Sequence, residues 1–186
     1  MIVFKGAAVQ ARWTSPAAFP GTVYAASRNG WMEEPQFFHW FTTSFINHIS
    51  KKRIDMDMPN ATALLLYDGH ASDISLRIMQ AAIEANIQII KFPSHLTDMI
   101  QPLYKCVFGP VKKACDRQLV EFGRDNIGVL TGRLQKRDFV NMLSLMWTAA
   151  ITKSNIVSGF SSTGIWPLNR ARFPGTAFES HQLAAH

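Results

Sequence analysis

The chain has 186 residues, enough for one domain with a substantial apolar core. Apolar residues make up 47% and charged residues 17%, which excludes a wholly disordered chain, a coiled coil and a collagen-like repeat. The net charge is +6, and Gln101 to His186 carries eleven basic and five acidic residues, the whole of that excess. A basic half of this kind suits a polyanionic partner, nucleic acid first. Cys106 and Cys115 are the 2 cysteines and have no paired histidines beside them. A disulfide scaffold and a structural zinc site are therefore not indicated, and two reduced thiols suit an intracellular protein. No stretch approaches the roughly 20 apolar residues of a membrane span, so no membrane partner is expected. Met1 to Lys5 lacks the basic region that opens a signal peptide.

In chain order, Ile2-Val3-Phe4 predicts a short strand. Ala7 to Gly30 contains Ser15-Pro16, Pro20-Gly21 and Asn29-Gly30, and reads as loop with a short strand near Val23-Tyr24. Glu33-Glu34-Pro35 opens a helix, with acidic residues at its positive end. Phe37, Phe38, Phe41, Phe45, Ile46 and Ile49 then fall on one helical face. Lys51-Lys52-Arg53 closes that helix with charge matched to its negative end. Ala63 to Tyr67 is a continuous apolar run stopped by Asp68-Gly69, as in a strand buried on both faces. Ser72 can cap a helix carrying Ile74, Ile78, Ala81, Ala82 and Ala85. Ile87 to Phe92 is a second strand, which Pro93 stops. Strand, helix and strand over about 30 residues predict a parallel βαβ crossover. Ser94 to Tyr104 reads as loop, Val107 to Phe122 as helix, and Asp138 to about Lys153 as a further helix with a core face of Phe139, Met142, Leu143 and Met146. The last dozen residues read as a loose tail.

Asp68 is the most informative residue. It stands at the C-terminal end of a predicted strand, followed by Gly69 and His70, where α/β sheets gather ligands and reactive groups. The stretches around it are Leu65 to Ser72, Ile90 to Thr97, Gln101-Pro102-Leu103 and Val107 to Lys112. With Phe4-Lys5-Gly6, Gly30-Trp31-Met32, Asn155 to Phe160, Ser162 to Ile165 and Pro167-Leu168, they resemble the DDE superfamily endonuclease domain of pogo-type transposases and their Tigger and jerky relatives. The resemblance covers about nine tenths of the chain.

That resemblance implies an RNase H-like fold: an α/β mixed sheet flanked by helices, here lacking the first two strands. It spans residues 1–175, with 176–186 as the tail. It also implies a nuclear, DNA-directed protein. In the family three carboxylates hold two Mg²⁺ or Mn²⁺ ions, whose mutual repulsion hard oxygen donors must neutralise. Mapped here, Asp68 fills the second acidic position and is the expected metal ligand, with His70 beside it at the catalytic position. The third position, after Pro102-Leu103, holds Tyr104, whose neutral phenol is a poor Mg²⁺ ligand. The first has no counterpart. Asp73 and Asp98 are weak substitutes whose ordinary roles are capping and solvation. The isolated chain is therefore expected to bind nucleic acid without productive metal binding or strand cleavage. Lys112, Lys113, Arg117, Arg133, Lys136 and Arg137 are the expected phosphate contacts. Loss of a central strand would also leave an exposed sheet edge open to self-association. The alternatives are an active nuclease completed by a missing N-terminal segment, and a domesticated protein-interaction module.

Overall fold

A computed structural model describes residues 1–69, 74–93, 96–127 and 134–172. The chain divides into two compact units. The first comprises Met1–Phe92 and Leu134–Asn141, and the second Pro93–Arg133 and Met142–His186. The predicted tail, 176–186, lies outside the described residues.

In the first unit, β1 (Ile2–Lys5) pairs in parallel with β2 (Tyr24–Ser27), Ile2 opposite Tyr24. β3 (Ala63–Tyr67) pairs in parallel with β4 (Ile87–Lys91), Leu65 opposite Ile89. Between these strands runs a helical stretch of α1 (Glu34–Trp40), a π-helical turn (Phe41–Phe45) and α2 (Ile46–Asp55). The helix α3 (Leu76–Glu84) connects β3 to β4 as the crossover the sequence predicts. The described strands thus form two two-stranded parallel sheets, and the antiparallel member of a mixed sheet is not among them. Each of β3 and β4 keeps one edge free of any further described strand.

The alternation of β3 corrects one expectation. Ala63, Leu65 and Tyr67 pack against Phe37, Phe41, Ile78, Ala82 and Ile87, the buried core of this unit. Leu64 points the other way and is 56% exposed. The apolar run that suggested burial on both faces is covered on one, because the helices pack on a single side of the pair. Phe41 is fully buried at the centre and stacks on Phe37 and Phe45, with ring centroids 6.2 and 5.6 Å away. Full burial of such a ring contributes on the order of 2–3 kcal/mol.

Two polar clusters fix the helices of this unit. The Arg77 guanidinium pairs with the Glu34 carboxylate and lies 4.2 Å from the Phe38 ring centroid, while Ser75 Oγ donates to Glu34 Oε1 at 2.5 Å. The Arg77 hydrogen bonds, then that of Ser75, hold the Glu34 carboxyl down at about 2. Ser75, not Ser72, precedes α3, and its hydroxyl serves Glu34 instead of the helix end. Ser72 itself lies outside the described residues. The second cluster is Arg53. Its Nε donates to Ala61 O at 2.8 Å, one terminal nitrogen to Ala85 O at 2.9 Å and the other to Asn86 O at 2.8 Å. The basic triplet therefore does more than match the charge at the end of α2: its last member clamps the far end of α3 and the approach to β3. Asn86 holds a left-handed backbone (φ 50°), a conformation asparagine tolerates better than most residues.

In the second unit, α4 (Thr97–Ile100) is followed by a π-helical turn (Leu103–Val107) that runs into α5 (Phe108–Asp125). The stretch expected as loop is thus largely helical. Pro102 starts the turn at φ −54° instead of breaking it, since the first helical position needs no N–H. The helix α6 (Lys136–Ala150) has its second half here: Met146 and Ala150 bury against Ala114, with Val111, Cys115 and Leu143 around them. The helix α7 (Lys153–Thr163) is capped by Thr152, whose Oγ1 accepts from Asn155 N at 3.1 Å, and ends on Gly164 in the left-handed region (φ 72°). The α7 helix packs on the Leu103–Val107 turn through Gly159. Both cysteines are free, and Cys106 Sγ lies 3.6 Å from Ser162 Oγ.

Candidate functional site

The end of β3, in the first unit, carries Asp68. Pairing with β4 continues to Phe92, whose N–H donates to Tyr67 O at 2.7 Å, so the strand is held up to the residue before Asp68. The Tyr67 ring packs 5.7 Å from Phe37 and reaches over Gly69. A Cβ at Gly69 would collide with the Tyr67 hydroxyl and ring carbons, so glycine there lets the backbone pass beneath the phenol. Asp68 sits between them with its side chain in solvent. The position is what the sequence predicts: a carboxylate on a fixed backbone at a strand end. His70 and Asp73 lie outside the described residues.

The second unit carries Tyr104 and Asp98. Gln101 is buried, and its backbone oxygen accepts from Tyr104 N at 3.1 Å and Lys105 N at 3.2 Å, which opens the π-helical turn. Tyr104 projects from that turn, 53% exposed, with its ring edge-on to Phe108 at 5.0 Å between centroids. Asp98 lies in the first turn of α4, where a carboxylate suits the positive helix end. Among the described residues no three His, Cys, Asp or Glu side chains come together as a metal-binding group. A pair of divalent ions needs several hard anionic oxygens at one place. Asp68, in the first unit, offers one carboxylate, and Tyr104, in the second, offers a phenol.

The basic residues divide in three. Lys112, Lys113 and Arg117 lie exposed on α5, and Arg137 is exposed on α6. Arg133 lies outside the described residues. Lys136 is committed inside the first unit: its Nζ donates to Lys5 O at 2.8 Å and stands 3.3 Å from the Trp13 ring centroid and 5.5 Å from that of Phe4. An ammonium in that setting is held by a carbonyl and two ring faces. Sequence reasoning missed this arrangement, and the partner residues stand too far away in the chain for any local pattern to reveal it. It also missed Gly159, which opens a Gly/Pro-rich stretch of the sequence but stands inside α7 against Pro102 O.

The family model of the DDE superfamily endonuclease matches residues 1–160. This chain belongs to the DDE superfamily endonuclease family. The match takes in both units, including Asp68, Tyr104 and all of α5 and α6. Membership makes the chain a transposase-derived, nuclease-like domain. The chain is also 28% identical over 167 residues to a protein of Cochliobolus lunatus named MFS-type transporter clz9. That alignment covers 90% of this chain and 17% of the relative, so the chain spans about a sixth of that protein's length. Among the described residues of this DDE chain, no helix is long and apolar enough to cross a membrane. No solved structure matches it.

Proposed function

We propose that this chain is a pogo-type DDE domain, RNase H-like in architecture, that holds DNA through charge and does not cut it. β3, α3 and β4 would form the parallel part of that architecture, and the chain would act on DNA in the nucleus. The observation that carries the reading is the exposed basic face of α5: Lys112, Lys113 and Arg117 stand in solvent on a helix whose opposite side is packed. Such side chains suit phosphates, contacts that position a protein on DNA and carry no sequence information. Asp68 is the remnant of a metal-binding set, and Mg²⁺ or Mn²⁺ is not held productively by this chain. His70 would accompany Asp68, and Arg133 and Arg137 would add to the phosphate contacts.

A second reading has support in Asp68 itself. Its exposed carboxylate on a fixed strand end could be joined by carboxylates of other residues to make a working nuclease.

The binding claim is tested by titrating a labelled duplex at several salt concentrations. Affinity should fall steeply with salt, with a slope of log K on log salt of about −3 to −5, and should depend little on base sequence. Absence of binding at about 50 mM salt, or an affinity indifferent to salt, would remove the proposal.

A further inference from the structure

We propose that Arg124 forms, with Lys113 and Arg117, a single row of cations along α5 that grips the backbone of one strand of a DNA duplex. The inference rests on the reading that the chain binds nucleic acid, and it names the surface. At about 100° per residue, Lys113, Arg117 and Arg124 fall within about 40° of one another around the helix. Val111, Ala114 and Cys115, on the other side, pack against α6. All three cations are exposed, and none takes part in an ion pair or hydrogen bond among the described residues. Lys136, equally basic in sequence, is spent on Lys5 O and Trp13 and has no place in the row.

The dimensions and the neighbours select the ligand. From Lys113 to Arg124 the row runs about 16 Å, equal to a rise of roughly five base pairs along the duplex axis at about 3.4 Å each. Asp116 and Glu121 flank it on either side, so a second row of phosphates cannot lie alongside. Glu121 is turned back along the helix, with its Oε2 accepting from Gln118 Nε2 at 2.6 Å. The side chain between the cations on the same face is Val120, 60% exposed. No aromatic ring of α5 shares that face, and stacking on such rings is what gives single strands their extra affinity. A duplex, with the higher charge density, is therefore the better ligand.

The test compares the whole chain and its variants on a short labelled duplex and on one of its strands, from about 50 to 200 mM KCl. Arg124→Gln should weaken duplex binding about five- to tenfold near 0.1 M salt and make the salt slope shallower by about 1. Arg124→Lys should keep the slope, because charge and not fork geometry is what the row uses. If the wild-type chain binds but Arg124→Gln keeps its slope, or if the single strand binds more tightly than the duplex, the row is wrong and the nucleic-acid reading stands. If the wild-type chain does not bind at about 50 mM salt, both fall together.

Discussion

Gly159→Ala should destabilise the chain by about 2–3 kcal/mol, visible as a fall of roughly 5–10 °C in the thermal midpoint followed by circular dichroism. The usual effect of this substitution inside a helix is the reverse, a gain of about 0.5–1 kcal/mol from a stiffer unfolded chain. Here a Cβ would stand 2.6 Å from Pro102 O and 3.2 Å from Pro102 C. Both are backbone atoms, at the start of the π-helical turn, and cannot swing aside as a side-chain tip would. The α7 helix must therefore move off the Leu103–Val107 turn, taking Gly159 and Thr163 out of the buried layer. Gly109 and Gly123 supply the comparison, since a Cβ on either meets nothing within 4 Å. Alanine at those two positions of α5 should raise stability by about 0.5–1 kcal/mol each. A Gly159→Ala chain melting at or above the wild-type midpoint would mean that α7 does not sit on Pro102 as described.

Arg53→Met should lose about 2–3 kcal/mol in urea unfolding, while Lys51→Met and Lys52→Met stay within about 0.5 kcal/mol of wild type. All three residues are cations at the end of α2, so a simple charge-to-dipole account gives them similar weight. The structure separates them. Lys51 and Lys52 are exposed, and Arg53 alone donates to three carbonyls, those of Ala61, Ala85 and Asn86. Those groups belong to the start of β3 and the end of α3, so the guanidinium joins three segments of the first unit. Methionine keeps most of the stem and removes all the donors. Arg53→Lys sharpens the test, because an ammonium keeps the charge but cannot spread donors over that fork. It should lose most of what methionine loses. Equal midpoints for Arg53→Met and Lys52→Met would show that the clamp adds nothing beyond charge.

These two residues also show where sequence reasoning stops. The apolar runs of β3 and β4, and the spacing of Ile78 and Ala82 in α3, follow from local rules, and the parallel crossover they predict is present. Phe37 and Phe41 fall on the face that is buried. The position of Asp68 is equally local: a buried run, an acid, a glycine. What local pattern cannot supply is the identity of the neighbour. Gly159 and Pro102 meet across the second unit, as Arg53 and Ala85 do across the first. Lys136 looks like any surface lysine until Trp13 and Lys5 are brought to it. The apolar run of β3 overstated its burial because composition cannot say how many layers cover a strand. Pro102 lies in a stretch that reads as loop, yet it starts the turn on which α7 packs.

Binding without cutting is open to a direct check on supercoiled plasmid. The purified chain is incubated with plasmid in Mg²⁺ and, separately, in Mn²⁺, at a salt concentration where it binds. The plasmid should be retarded and should return to the supercoiled position once the protein is removed. A nicked product that needs the metal, and that Asp68→Ala abolishes, would contradict binding without cutting and show that Asp68 finds the partners the described residues do not provide.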